Sequence, residues 1–364
     1  MKLLFATDRL HPPDDFSGSV QSTHALMLGL LERGHQCEIL ASLPAAWKHA
    51  LATGLFRLSG RRVICEWPDT ANGYRVRRGS EWRFAERVVR GARRYSPDAV
   101  ILDSIRQLRF LEAASFSPPC PLIVVNHDVR FVDGSRELPF KPRLRIVANS
   151  PYTAAVASRH FGVDATVVPP VVQLDRYRTE RPSPSSVTLV SPNPQKGLDL
   201  VLELASRLPR TPFLLVEGWP MERRERRALQ QRIRLLHNVT LRPSSREMLP
   251  VFRETRVLLA PSRIPETFGR VIIEAQVSGI PVMTSDAGAL PWVVGDGGIV
   301  LPMDTGVSEW ARQLEDLLRD PARYGDLSRK ALENTRRTEF QPDEVLARWE
   351  RVLRDLGTPA DGAA

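Results

Sequence analysis

Glu266 and Glu274 stand eight residues apart, with Thr267-Phe268-Gly269-Arg270 opening the interval between them. A carboxylate accepts several hydrogen bonds at once, which suits a vicinal diol. Two carboxylates about two helical turns apart could hold the two ends of a hydroxyl-rich ligand. Lys196 lies in Pro192-Asn193-Pro194-Gln195-Lys196-Gly197, at the expected start of a helix. A cation is unfavourable against the dipole at that end, so an anionic partner would explain it. Gly18, between Ser17 and Ser19, precedes another helix, where backbone N–H groups can approach a phosphate. His127 closes the apolar run Leu122–Asn126 and can donate or accept a hydrogen bond. Diol binding and phosphate binding together describe the chemistry these residues offer.

The elements that must position them follow a βα rhythm. Val257–Ala260 reads as a buried strand, followed by a loop with Pro261, Pro265 and Glu266. A helix over about Phe268–Ser278 and an apolar stretch Ile280–Met283 come next. Strand, loop, helix, strand is the unit of a parallel sheet whose ligand sits beyond the strand ends. The same rhythm opens the chain. Leu3–Thr7 is a strand, Val20–Arg33 a helix stopped by Gly34, and His35–Ala41 a second strand. Further strands are expected at Ala99–Asp103, Leu122–Asn126, Arg145–Asn149, Val187–Ser191, Phe213–Glu217 and Asn238–Leu241. Ser150 or Thr153 is expected to cap the helix after the third of these. Helices are expected over 222–237, Ser245–Glu254, 307–319, 321–337 and Pro342–Leu356. Residues 44–80 have no clean period.

Length and composition bound the answer. With 364 residues the chain suits two domains. The polar, Pro/Ser-rich stretch TERPSPSS, 179–186, is the expected linker. The first domain is then 1–178, joined by a crossing helix within 340–357; the second is 187–339, and 358–364 is a tail. No apolar run approaches the length that spans a bilayer, and the start reads as a strand rather than a signal peptide. Cys37, Cys65 and Cys120 are scattered and odd in number, so a reducing cytoplasm is expected. There is no HExxH and no Asp-x-Asp, so no metal ligand is assigned and none is expected to be needed.

Net charge is +9, and residues 57–94 hold 11 arginines against 4 acids. On the expected helix over 81–95, Arg83, Arg87, Arg90, Arg93 and Arg94 fall opposite an apolar face of Phe84, Ala85, Val88, Val89, Ala92 and Tyr95. Two readings stand: a solvated face, or a patch meeting an anionic membrane or a phosphate-bearing acceptor. No helix-turn-helix, finger or RNA-binding signature accompanies the charge, so a specific nucleic-acid partner is not expected.

The stretch Glu266, Phe268-Gly269, Glu274-Ala275, Gly279-Ile280-Pro281-Val282, Gly288-Ala289-Leu290-Pro291 resembles the donor-sugar signature of retaining glycosyltransferases of family 4. The resemblance is fullest over 187–303, extends to 1–41 and 121–172, and is faint over 44–98. It implies the GT-B fold: an α/β protein of two Rossmann-like domains with a cleft between them, the C-terminal helix crossing back to the first. It also implies a hexosyltransferase that takes a nucleotide-diphosphate sugar, UDP- or GDP-linked, as co-substrate and uses no cofactor. The acceptor is left open among glycans, lipid-linked sugars and small molecules. The implied location is the cytoplasm or the inner face of a membrane.

Residue by residue, the resemblance implies that Glu274 accepts from the ribose diol. Glu266, Thr267 and the N–H groups of Phe268 and Gly269 hold the sugar. Lys196 and the N–H groups of Gly288, Ala289 and Leu290 meet the diphosphate, with Gly18 approaching it from the first domain. Ser191 and Asn193 line the same donor site, and His127 lies near the reacting carbon. Two positions depart from the family. Its paired glycines are a single Gly18 here, and Ser191 occupies the place of an arginine, leaving Arg263 or Arg270 as replacement cations. Two other readings are a GT-B nucleotide-sugar epimerase and a non-catalytic relative that binds anionic surfaces.

Overall fold

A computed structural model describes residues 1–43, 67–70, 72–113, 119–127, 129, 138–140, 143–180, 184–218, 221–245 and 247–357. Most of the unpatterned 44–80 segment, Arg57, Arg61, Arg62 and Cys65 among it, and the tail 358–364 lie outside the described residues. The chain forms two compact units, Met1–Val171 with Val345–Ala364, and Val172–Glu344.

In the first unit, β1 (Lys2–Ala6), α1 (Gly18–Glu32) and β2 (Gln36–Ser42) form the opening βαβ. β3 (Trp67–Asp69), β4 (Arg75–Gly79), α2 (Phe84–Tyr95), β5 (Ala99–Leu102), α3 (Ile105–Ala113), β6 (Leu122–Asn126), β7 (Leu144–Ala148), α4 (Pro151–Phe161) and β8 (Ala165–Val167) follow. The sheet runs β3-β4-β2-β1-β5-β6-β7-β8, parallel except for β3 against β4. Its central strands are apolar on both faces because helices cover both sides. Leu3, Phe5, Ile39 and Ile101 pack into one layer, Leu4, Leu40, Val100 and Leu102 into the other. Ser150 caps α4 by accepting the Thr153 N–H at 3.1 Å, the cap expected from sequence.

The basic face of α2 needs correction. Arg87 is buried, 1% exposed, and its Nη2 donates to the carbonyls of Ala41 (2.8 Å) and Arg77 (2.7 Å). Gly79 makes the room: a Cβ there would lie 2.5 Å from Arg87 Nε. Arg94 bonds to the buried Glu38, which also holds Arg77. Only part of the arginine stripe is therefore left to solvent.

In the second unit, β9 (Ser186–Val190), α5 (Leu198–Arg207), β10 (Phe213–Val216), α6 (Arg223–Ile233), β11 (Val239–Arg242), α7 (Leu249–Glu254) and β12 (Thr255–Ala260) come first. α8 (Arg270–Gln276), β13 (Val282–Ser285), α9 (Leu290–Val294), β14 (Gly298–Leu301), α10 (Val307–Arg319) and α11 (Pro321–Asn334) complete it. The sheet is wholly parallel, in the order β11-β10-β9-β12-β13-β14. The break between units falls before the Pro/Ser-rich stretch 179–186. Thr179 N–H donates to Ser278 Oγ at 2.9 Å, which ties that stretch to the second unit, and β9 already begins at Ser186.

α12 (Pro342–Arg354) returns to the first unit, where Val345, Leu346, Trp349, Val352 and Leu353 enter the core with α1. Among the described residues no helix is long and apolar enough to cross a membrane.

Candidate donor-sugar site

The second sheet reverses its strand order between β9 and β12, so their C-terminal ends are neighbours. Two connections leaving such a switch point diverge and open a crevice for a ligand. After β9, Asn193 Oδ1 accepts the Lys196 N–H at 3.1 Å and caps the short turn Pro194–Lys196. Gly197 then starts α5 with φ +82°; a Cβ there would sit 2.3 Å from the Pro261 carbonyl oxygen. Only glycine lets the two loops run this close. Arg263 N–H donates to Gln195 O at 2.8 Å and fixes their register. The outcome is an ion pair between Lys196 Nζ and Glu266 Oε1, with Ser262 Oγ donating to the same oxygen. Lys196 keeps further N–H donors for an anion.

Glu266 is also fastened by its backbone. Its N–H donates to Ala287 O at 3.3 Å and its carbonyl accepts from Ala289 N–H at 2.9 Å. This bridge to the Gly288 loop brings the three expected phosphate-loop residues beside the carboxylate. It also amends the expectation for that loop, because the Ala289 N–H is spent on Glu266 and the Leu290 N–H on Ala287 O at 3.4 Å. Among the described residues, the N–H groups of Phe268, Gly269 and Gly288 donate to no protein acceptor. Thr267 sits half-buried in the same loop, and Phe268 is buried edge-on against Trp292 and Phe340. Gly269 has φ +90°, and a Cβ there would lie 2.6 Å from Leu290 Cδ2.

Glu274, on α8, is 8% exposed. Arg270 Nε donates to its Oε1 at 3.0 Å, one helical turn away. Tyr177, whose ring packs on Phe252, lies against both. Burial first, then the Glu274 charge, pushes the Tyr177 phenol up from its ordinary value.

The position that departs from the family is folded tightly. Ser191 has φ +62°, its N–H donates to Val216 O at 2.8 Å, and a Cβ at Gly218 would overlap its Oγ. Neither candidate replacement stands uncommitted: Arg263 Nη1 bonds to Met303 O at 2.6 Å, and Arg270 to Glu274.

Gly18 and His127 belong to the first unit. Gly18 is the first residue of α1 and its carbonyl accepts from Ser22 Oγ at 2.7 Å. His127 is half-buried just beyond β6 and lines a pocket with Thr7, Ser22, Asp103, Asn149 and Trp349. This pocket lies at the C-terminal ends of β1, β5 and β6, the first sheet's own switch point. Asp103 is half-buried there, held by Thr7 Oγ1 at 2.6 Å and by Gln107, and desolvation pushes its carboxyl up.

Ser262 and Tyr177 were not legible as site residues. A lone serine in a loop and a tyrosine far upstream carry no spacing signal. The Arg270–Glu274 pair did carry one, since a four-residue offset brings side chains together on a helix.

Residues 186–320 match the family model described as glycosyl transferases group 1, and residues 16–176 the model described as Glycosyltransferase Family 4. The D-inositol 3-phosphate glycosyltransferase of Segniliparus rotundus is 28% identical over 237 residues, 58% of this chain and 53% of that protein. That of Rhodococcus erythropolis is 31% identical over 215 residues, 51% and 48% of the two chains. The chain thus spans about half the length of the curated relatives it matches. HepE of Anabaena, solved in complex with UDP-glucose, superimposes with a TM-score of 0.77 at 18% identity, over 98% of this chain and 100% of that one. WaaG, a glycosyltransferase involved in lipopolysaccharide biosynthesis, gives 0.67 at 14%, over 98% and 100%. At those identities the likeness is one of fold. The two models, one in each unit, together cover most of the chain, both sheets are Rossmann-like, and the chain belongs to glycosyltransferase family 4 with the GT-B fold.

Proposed function

We propose that this protein transfers a hexose from a nucleotide-diphosphate sugar to a hydroxyl acceptor with retention of anomeric configuration. The observation that carries the reading is the Lys196–Glu266–Ser262 cluster at the switch point of the second sheet. Glu274 takes the ribose diol, and Glu266 with the Phe268 and Gly269 N–H groups takes sugar hydroxyls. Lys196 and the Gly288 N–H stabilise the departing diphosphate, where the largest charge develops. UDP-glucose is the first donor to test, because HepE was solved with it. The names of the curated relatives make a phosphorylated cyclitol the first acceptor to test, beside glycans and lipid-linked sugars. For His127 and Gly18, roles at the reacting carbon and the diphosphate are those that the family resemblance implies.

A double displacement needs a carboxylate under the anomeric carbon. Glu266 Oε1 already takes Lys196 and Ser262, which suits a hydroxyl ligand better than a nucleophile. The favoured step is same-face substitution. The bond from the anomeric carbon to phosphate oxygen breaks, the acceptor oxygen bonds to that carbon, and the acceptor proton passes to the leaving phosphate. Incubation with UDP-glucose, GDP-sugars and an acceptor panel should give product of unchanged anomeric configuration. An inverted product would overturn retention, and an altered free sugar formed without acceptor would overturn transfer in favour of epimerisation. Glu274→Ala should chiefly weaken nucleotide binding by calorimetry, and Glu266→Ala chiefly lower turnover.

A further inference from the structure

The Arg270–Glu274–Tyr177 cluster is built more elaborately than a ribose ligand alone requires. Arg270 and Glu274 side chains are 11% and 10% exposed, and the Arg270 Nε–Glu274 Oε1 bond is 3.0 Å. Arg270 also reaches the other way: its Nη2 lies 3.5 Å from the Tyr177 hydroxyl. A carboxylate held by a free arginine can still turn with it about the last torsions, whereas a guanidinium braced from a second element holds the carboxylate plane. Arg270 comes from the first turn of α8, and Tyr177 from the short turn Leu174–Tyr177, whose main chain is held by Ser278 Oγ at 2.8 Å. The Arg270–Glu274 pair is thus braced, through the Arg270 guanidinium, by a segment distant in sequence.

We propose that Arg270 and Tyr177 are positioning residues that set the ribo- over deoxyribonucleotide preference of this site. Together they fix the plane of Glu274, so that its remaining lone pairs meet both hydroxyls of a ribose diol. The proposal rests on the assignment of Glu274 to the ribose. Discrimination follows from geometry, because a site with fixed acceptors loses a hydrogen bond when one hydroxyl is missing, whereas a mobile acceptor re-pairs with the hydroxyl that is left.

The test is calorimetry on the full chain with UDP, ADP and GDP, followed by the tightest of these against its 2′-deoxy form. Wild type should prefer the ribonucleotide by roughly tenfold or more, the scale of one hydrogen bond to a charged group. Tyr177→Phe and Arg270→Lys should bring the ratio down toward one, by weakening the ribonucleotide more than the deoxy form. Arg270→Lys keeps the charge but not the fork, so it separates geometry from electrostatics. If both variants keep the wild-type ratio, the positioning role is overturned. The same holds if they weaken both nucleotides equally, because that is the signature of a merely structural role. Glu274→Gln tests the underlying assignment separately: if it leaves the ratio unchanged, or if wild type binds none of the three nucleotides, the donor-site reading itself fails.

Discussion

Backbone conformation at single residues decides whether the candidate site can form. Gly197 and Gly269 both occupy the left-handed region, and each has a neighbour where a Cβ would stand. The conformation alone costs a non-glycine residue about 1–2 kcal/mol. Gly197→Ala adds a contact with a carbonyl oxygen that cannot swing away, so it should lower thermal stability and separate Lys196 from Glu266. Thermal unfolding together with nucleotide titration checks this; unchanged affinity would mean the loops tolerate displacement. Ser262→Ala is milder. It removes one donor from Glu266 while leaving Lys196 in place, and turnover should fall roughly tenfold with nucleotide affinity nearly unchanged. Equal losses in both would place Ser262 in ground-state binding instead.

At the scale of elements, the notable member is α12, which leaves the second unit and completes the core of the first. Trp349 is 2% exposed and packs among residues of that core, so Trp349→Ala should cost about 3–5 kcal/mol, read as a lower urea midpoint by circular dichroism. The apolar positions of this helix were plain in the sequence, since Val345, Leu346, Trp349, Val352 and Leu353 follow helical spacing. So were ten of the strands, whose apolar runs match the described elements to within a residue or two, but β3, β4, β8 and β14 were not expected. Helix ends were less plain: α8 spans Arg270–Gln276 rather than Phe268–Ser278, because Gly269 in the left-handed region delays its start. Arg87 misled for a related reason. Its position on the helix said solvent, but the carbonyls that hold it come from β2 and β4, which no local pattern announces.

For the whole molecule, the half-buried Asp103 makes a prediction about pH. Its folded value is raised above the ordinary 3.8, with burial as the main cause and Asp8 adding to it. The folded state therefore binds a proton more tightly than the unfolded chain does. The stability this contributes is fully present below the unfolded value and is lost as pH rises through the folded one. Asp103→Asn keeps a group able to pair with Thr7 and cannot ionise. Its urea midpoint should fall less than that of wild type as pH rises from about 4 toward neutrality. Parallel pH profiles for the two proteins would show that Asp103 does not govern the dependence.

The sequence by itself determined the βα rhythm and most strands of the two sheets, and its resemblance to one family singled out Lys196, Glu266, Glu274 and the Gly288 loop. Strand periodicity, glycine placement and residue spacing are local properties, and local properties survive in a linear string. Only the tertiary structure decided that Lys196 and Glu266 pair with each other, that Ser262 joins them, and that Ala289 spends its N–H on Glu266. Lys196 meets the Glu266 loop because β9 and β12 are neighbours in space while lying far apart in the chain, and Ala289 reaches Glu266 because β13 flanks β12. The same reason hid Tyr177: its neighbour Arg270 is brought to it by the packing of α8, and no spacing rule encodes that meeting.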